Sequence, residues 1–230
     1  MKKFQKKETP KITIFFDVVT APKVTGDTAK EKEWLDKYFE NKKYNFDKFS
    51  SYKYNSLTSD LEKEIYIKRR SFLLSQIVSI CGTIHTDTSG VIDFKIVDKV
   101  NEEEVVKTFI NDVVNNYGIF ETIWVHYNGL NFECPLIMRK AVHYNLPINN
   151  FNFCNLAKFR FTPHYDISAA LSHWGGENVE FEVICQEFGI DYKETDLDVW
   201  KMSDEAIAEC SVSRVQAYKT LYDKLRKVYK

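Results

Sequence analysis

Hydrophobic and polar positions along the chain predict strands that alternate with helices. Residues 12–20 are mostly β-branched or aromatic, and apolar residues flank Asp17 on both sides, which predicts a strand buried on both faces at the centre of a sheet. Residues 76–82 and 91–97 are two β-type runs on either side of a polar turn, so they predict a hairpin. A further strand is predicted over residues 122–126.

Helical spacing of apolar residues follows these strands. Asn101 is predicted to cap a helix that continues to residue 117, with acidic residues in its first turn. Residues 136–146 predict another helix, with Pro135 in its first turn. This order of elements predicts an α/β fold in which a mixed sheet is flanked by helices. Three later elements are predicted: a short edge strand and helix from His164, a helix between Asn178 and Gly189, and a last helix capped by Ser203.

The chain is predicted to contain one domain behind a short tail. Residues 1–11 form a basic tail, and residues 12–230 have the length and apolar content of a single domain with an insertion. The insertion is predicted at residues 23–70, which are highly polar and carry a few apolar residues at helical spacing. These residues are interpreted as a helical insertion or lid after the first strand.

Charge and cysteine content restrict the classes of partner and compartment. The formal net charge is −1, so binding to nucleic acid or to an anionic membrane would need a local basic patch. Five cysteines form no CxxC pair, which is typical of a reducing compartment, and no stretch is apolar enough to span a bilayer. A cytoplasmic protein is therefore expected. Abundant Lys, Asn, Tyr, Phe and Ile hint at an AT-rich genome such as that of a phage, with the host cytoplasm or the virion as the location.

Two acidic residues are candidates for chemistry. A buried carboxylate at Asp17 needs a metal, a cation or several hydrogen-bond donors, whereas an exposed Asp17 would cap the turn that follows the strand. Glu133 lies where a strand ends and a helix begins, a position that favours cation binding and is also common for an ordinary acid at a helix start. The residues alone leave both alternatives open.

The last helix places a cation among apolar residues. Arg214 needs a buried acidic or phosphate partner if its face of the helix is buried, and it reaches water if that face is exposed. The first alternative is the one we favour. The predicted inward stripe consists of Ile207, Cys210 or Ser211, Arg214, Ala217 or Tyr218, Leu221 and Leu225.

Four segments resemble, in order, the motifs of the DEDD 3′→5′ exonucleases, in particular the family related to the proofreading domain of B-family DNA polymerases. They are Phe16-Asp-Val-Val-Thr20, the segment from Tyr127 to Pro135, His164-Tyr-Asp-Ile together with residues 181–190, and residues 207–222. The resemblance implies a ribonuclease H-like fold. It also implies phosphodiester hydrolysis by two Mg²⁺ or Mn²⁺ ions held by carboxylates.

The chain departs from this family at the residues that would hold the metals. Asp17 matches the first acid, but Val19 stands where the family has Glu, and Glu133 stands where it has Asp. Cys210 and Arg214 occupy the positions of the family's Tyr and last Asp. Four acids thus become two acids, an apolar residue and a cation, so catalysis by two metals is not expected. We expect the Arg214 guanidinium to take the vacated metal position and to pair with Asp17, Glu133 or both.

Three functions follow from this degraded set. The first is a pseudoenzyme of DNA replication or processing that binds a single-stranded 3′ end or a protein partner, with no cofactor and no membrane contact. The second is a weak exonuclease with one Mg²⁺ or Mn²⁺ held by Asp17, Glu133 and Asp166. The third is a structural or interaction module, for example of a phage. The residues predicted to contact nucleic acid are Asn128, Gly129, Phe132, Lys158 and Arg160, together with Phe159 and Phe161, which a buried aromatic cluster would also explain.

Overall fold

The structure is a computed structural model that describes residues 11–23, 58–72, 74–87, 90–117, 121–174 and 180–228. Most of the predicted basic tail, residues 24–57 of the predicted insertion and the predicted cap Asn178 lie outside the described residues. The described residues form two compact units, one containing residues 11–19 and 77 onward, the other containing residues 20–76. The single domain over 12–230 and the lid over 23–70 therefore stay predictions.

The sheet strands are β1 (Lys11–Pro22), β2 (Ser75–Thr86), β3 (Gly90–Val97), β4 (Glu121–His126) and β5 (His164–Asp166). The α-helices are α1 (Asp60–Arg69), α2 (Glu102–Thr108), α3 (Glu133–His143), α4 (Phe151–Cys154), α5 (Ile167–Leu171), α6 (Phe181–Phe188) and α7 (Asp204–Val228). A π-helical segment (Phe109–Val114) continues α2, and a 3₁₀ turn (Val199–Lys201) precedes α7.

Five strands of the described residues form one mixed sheet in the order β3-β2-β1-β4-β5. β2 and β3 pair antiparallel, which confirms the predicted hairpin, and β4 runs parallel to both β1 and β5. The predicted α/β architecture, a mixed sheet with flanking helices, is confirmed. Because β1, β4 and β5 are parallel neighbours, the residues at their carboxyl ends come together at one edge of the sheet.

Side chains of β1 alternate between two buried layers, as the apolar run predicted. Phe15 packs against Tyr222 of α7, with ring centroids 5.4 Å apart. Phe16 points to the opposite layer, where it contacts Phe109 and Trp124. Asp17 has the same parity as Phe15, so its carboxylate faces α7.

α7 supplies the inner face of one layer. The Ser203 hydroxyl accepts a hydrogen bond from the Ala206 N–H, which confirms the predicted cap. The predicted inward stripe is also confirmed: its apolar members from Ile207 to Leu225 are buried, and Arg214 within the stripe is partly buried. Among the helices of the described residues, none is both long enough and apolar enough to cross a membrane.

Two predicted helix boundaries were wrong. The helix from Asn101 is not a single α-helix to residue 117, because α2 passes into the π-helical segment after Thr108. The wider i→i+5 turn lets Phe109, Ile110, Val113 and Val114 all lie buried. The helix predicted over residues 136–146 begins earlier, at Glu133, and ends at His143. The short helix α4 was not predicted; the Asn150 side chain caps it.

Candidate functional site

The Asp17 carboxylate lies in a fully buried position and is held by three side chains of α7. Its Oδ2 accepts a hydrogen bond from the Ser211 hydroxyl at 3.0 Å. Its Oδ1 accepts one from the Tyr218 hydroxyl at 2.7 Å and one from Arg214 Nε at 3.0 Å. Because Asp17 is 0% exposed, the alternative that it caps a turn at the surface is wrong.

The Arg214 guanidinium joins this group and remains partly accessible. Its Nη2 donates to the Tyr218 hydroxyl oxygen at 3.1 Å, and its Cζ lies 4.9 Å from the centre of the Phe181 ring. The side chain is 23% exposed, against 1% for that of Asp17. Burial alone would lower the pKa of Arg214, but Asp17 and Tyr218 raise it above its ordinary value, so the guanidinium is charged. The expected pairing of Arg214 with Asp17 is thus present.

Sequence reasoning missed Ser211 and Tyr218 as donors to Asp17. Ser211 lies three positions before Arg214 and Tyr218 lies four positions after it, so both residues share its face of the helix. This spacing was a usable signal, since a buried carboxylate needs more than one donor.

Glu133 lies beside this group without the cation that Asp17 has. Its side chain is 5% exposed, and its Oε2 has no hydrogen-bond partner among the described residues. Burial raises the pKa of Glu133 well above its ordinary value, the Asp17 carboxylate raises it further, and Arg214 opposes the shift. A carboxyl group in this setting favours the protonated form.

We expect the Glu133→Gln variant to lose part of the pH dependence of stability. The folded protein binds the Glu133 proton more tightly than the unfolded chain does, so the free energy of unfolding falls as pH rises from about 4.5 toward the raised pKa. Gln keeps the shape of Glu but cannot ionise. Urea unfolding at several pH values from about 4.5 to 8 measures the difference between variant and wild type. The matched control is Glu187→Gln on α6, an exposed position; equal pH slopes for Glu133→Gln and wild type would contradict the assignment.

Asp166 fastens the loop after β4 to the start of α5. Its Oδ1 accepts hydrogen bonds from the backbone N–H groups of Asn128 and Ala169, and its Oδ2 accepts one from Leu130. Asn128 adopts a left-handed backbone with φ of 58°, which brings its N–H to the carboxylate. Three backbone donors therefore use the oxygens that a metal would need.

A buried pair of histidines lies beneath this loop. Gly129 N–H donates to His126 Nδ1 at 3.2 Å, and a Cβ at Gly129 would lie 2.4 Å from the His126 ring. His126 Nε2 therefore carries the proton and donates to His164 Nδ1 at 3.1 Å, and His164 Nε2 donates to the Phe153 carbonyl at 2.9 Å. Burial lowers the pKa of each histidine to about 3, so both rings are neutral. His126 Nδ1 lies 3.6 Å from Asp166 Oδ2, but because the imidazole is neutral the two residues do not form an ion pair.

The residues around Asp17 do not fit a pair of divalent ions. The charged guanidinium lies 3.0 Å from Asp17 Oδ1 and repels other cations from that oxygen. Val19 is buried and offers no oxygen ligand. Among the described residues, potential metal-ligand atoms lie within 4.8 Å of one another in His126, Cys134 and His164. The ring nitrogens of the two histidines already form hydrogen bonds with each other and with the backbone. A metal role for Asp17, Glu133 and Asp166 stays a prediction.

The residues predicted to contact nucleic acid lie in two kinds of environment. Asn128 and Gly129 use their backbone N–H groups to hold Asp166 and His126, which is a structural role. Phe132 is half-buried at the start of α3. Lys158 and Arg160 are exposed in the loop between α4 and β5. A nucleic-acid role for these residues stays a prediction.

Cys210, at the position predicted to correspond to the Tyr of the exonuclease family, is buried, and its thiol donates to the Glu194 carbonyl.

Comparison with known families adds the evolutionary relationship. A family profile described as the RNase H superfamily matches residues 74–203, which are more than half of the 230 residues. The chain belongs to the RNase H superfamily. No curated protein matches the chain in sequence. Membership of the RNase H superfamily indicates a nucleic-acid-related, nuclease-like function, and the mixed sheet flanked by helices agrees with the fold of this superfamily.

The matched residues include β2 to β5 and exclude the two charges at the centre of the site. Asp17 on β1 and Arg214 on α7 both lie outside residues 74–203. Their arrangement is therefore a feature of this structure, independent of the superfamily match.

Proposed function

We propose that this RNase H superfamily member is a degraded 3′→5′ exonuclease that binds single-stranded nucleic acid without two-metal catalysis. The observation that carries the proposal is the 3.0 Å contact between Arg214 Nε and Asp17 Oδ1. A guanidinium supplies positive charge where the DEDD exonucleases have metal ions, but it neither activates water nor exchanges ligands. The charge that would attract a phosphate is kept, and the hydrolytic chemistry is lost.

The free side of the guanidinium makes Arg214 suitable for phosphate. Nε is used by Asp17 and one Nη2 hydrogen by Tyr218, while the side chain keeps an exposed fraction of 23%. The remaining N–H groups form part of the planar fork with which arginine binds phosphate oxygens. We propose Arg214 as the contact for a phosphate near the 3′ end of a strand, in a role in DNA replication or processing.

We expect purified protein to bind a labelled single-stranded oligonucleotide and to leave it intact. Fluorescence anisotropy should show affinity falling steeply with salt, with a slope of about −0.7 per phosphate contact in a logarithmic plot. Incubation of the same preparation with Mg²⁺ or Mn²⁺ should give no 3′→5′ degradation on a denaturing gel. Asp17→Ala serves as the control that separates intrinsic activity from a contaminating nuclease.

Two outcomes would overturn the proposal in different ways. Rapid degradation that Asp17→Ala abolishes would identify an active exonuclease. The unpartnered Oε2 of Glu133 is the observation that favours such residual one-metal activity. Absence of binding at low salt would instead leave a structural or interaction module, which the near-neutral net charge favours.

A further inference from the structure

An exposed aromatic cluster borders a cleft at the carboxyl end of β5. Phe159 is 73% exposed and Phe161 is 42% exposed, so the buried-cluster alternative for these two residues is wrong. The Trp174 ring lies 5.5 Å from that of Phe159 and 6.2 Å from that of Phe161. Phe161 in turn stacks on Tyr165 at 5.1 Å and 28°. Single exposed aromatic residues are common, but a contiguous group of aromatic rings at the surface is typical of a binding site.

The backbone of this cluster is strained. Phe159 and Trp174 have left-handed backbones, with φ of 64° and 61°, and His173 between α5 and Trp174 has φ of 47°. A bulky residue with positive φ is a genuine outlier, and such residues occur where the surroundings hold a functional conformation. Here the strained residues are the ones that bring the Phe159 and Trp174 rings together.

The cleft has room for one base of a nucleic acid. Its volume is about 310 Å³, and its lining includes Asp166, both of whose oxygens accept hydrogen bonds from backbone N–H groups. Lys158 and Arg160 alternate with the two exposed phenylalanines along the loop. Cations that alternate with aromatic rings suit the phosphates and bases of a single strand, because every base has a face that can stack. The cleft is lined by Leu130, Asn131, Lys158, Phe159, Asp166, Ala169, Ser172 and Trp174.

The cleft is also linked to the group around Asp17. Asp166, which lines the cleft, is the last residue of β5, and Asp17 lies just beyond the part of β1 that pairs with β4; only β4 separates these two strands, so both acids lie at the same edge of the sheet. We propose that the Phe159–Phe161–Trp174 cluster is a stacking subsite for a base of single-stranded nucleic acid, at the same edge of the sheet as the Asp17–Arg214 pair proposed to meet a phosphate. This inference rests on the proposed function and adds a base contact to its phosphate contact.

The test compares a single-stranded oligonucleotide with a strand of equal length and charge that carries abasic sites. Wild type should bind the intact strand about tenfold more tightly than the abasic strand in an anisotropy titration, since stacking of one base contributes on the order of tenfold or more. Phe159→Ala should remove this preference. Phe151→Ala should keep it, because Phe151 is an equally exposed phenylalanine (79%) on α4 that does not line the cleft.

A second variant separates stacking from a structural role. Phe159→Gly removes the ring and also suits the left-handed backbone, so its urea unfolding midpoint should not fall while the preference for intact strand is lost. Equal binding of intact and abasic strands by wild type would overturn the stacking subsite and leave the phosphate contact standing. Failure of wild type to bind either strand would overturn the proposed function together with this subsite.

Discussion

The Arg214→Ala variant is expected to lose roughly 3 kcal/mol or more of its free energy of unfolding. Asp17 would remain fully buried with Ser211 and Tyr218 as donors but without the cation that now lies 3.0 Å away. An unneutralised buried carboxylate costs several kcal/mol, because the two remaining donors are neutral hydroxyl groups. Urea unfolding followed by circular dichroism measures the change.

A matched control and a double-mutant cycle assign this loss to the ion pair. Arg226→Ala removes an arginine from an exposed position of the same helix and should change stability by only about 0.5 kcal/mol. In the cycle, Asp17→Asn combined with Arg214→Ala should cost less than the sum of the two single changes. Additive costs would mean that the pair does not stabilise the fold as described.

Acid is expected to destabilise the protein by several kcal/mol between pH 6.5 and about 3. His126 and His164 are neutral in the folded protein, with pKa values of about 3, whereas both bind protons near pH 6.5 once unfolded. The two histidines therefore bind more protons in the unfolded state within this window, so their contribution to stability is full above pH 6.5 and is lost as pH falls. The pH dependence of the urea midpoint measures this loss.

Variants of the two histidines identify the source of the acid effect. His126→Asn and His164→Asn should each start from a lower stability, and each should show a clearly shallower decline below pH 6.5. His143→Asn is the control, because His143 lies exposed at the end of α3. A decline as steep in both buried variants as in wild type would show that other groups govern the acid response.

The sequence was sufficient to predict the sheet and the position of its charges. The apolar run through Asp17 predicted a central strand because residues on both of its faces must be buried. The stripe on the last helix predicted that Arg214 faces inward, because a 3.6-residue period leaves few choices of face. These are local patterns, and each depends on residues within one element.

Contacts between distant elements were harder to predict. The tautomer of His126 depends on Gly129, His164 and Phe153 together, and no spacing in the sequence reveals that chain of hydrogen bonds. Exposure of Phe159 was equally hidden, because an aromatic run reads the same in a core and on a surface. The π-helical segment was missed because its i→i+5 bonds leave no distinct pattern of apolar residues.

The two ends of the chain meet at the ion pair, and this has a consequence for biosynthesis. Asp17 and Arg214 are 197 positions apart, so a ribosome releases the aspartate long before its arginine exists. β1 likewise cannot pair with β4 until more than 100 further residues have been synthesised, since Lys11 lies opposite Glu121. Assembly of this sheet therefore needs contacts between remote segments, which slow folding, and a nascent chain that stops before the final helix leaves Asp17 without a counter-charge.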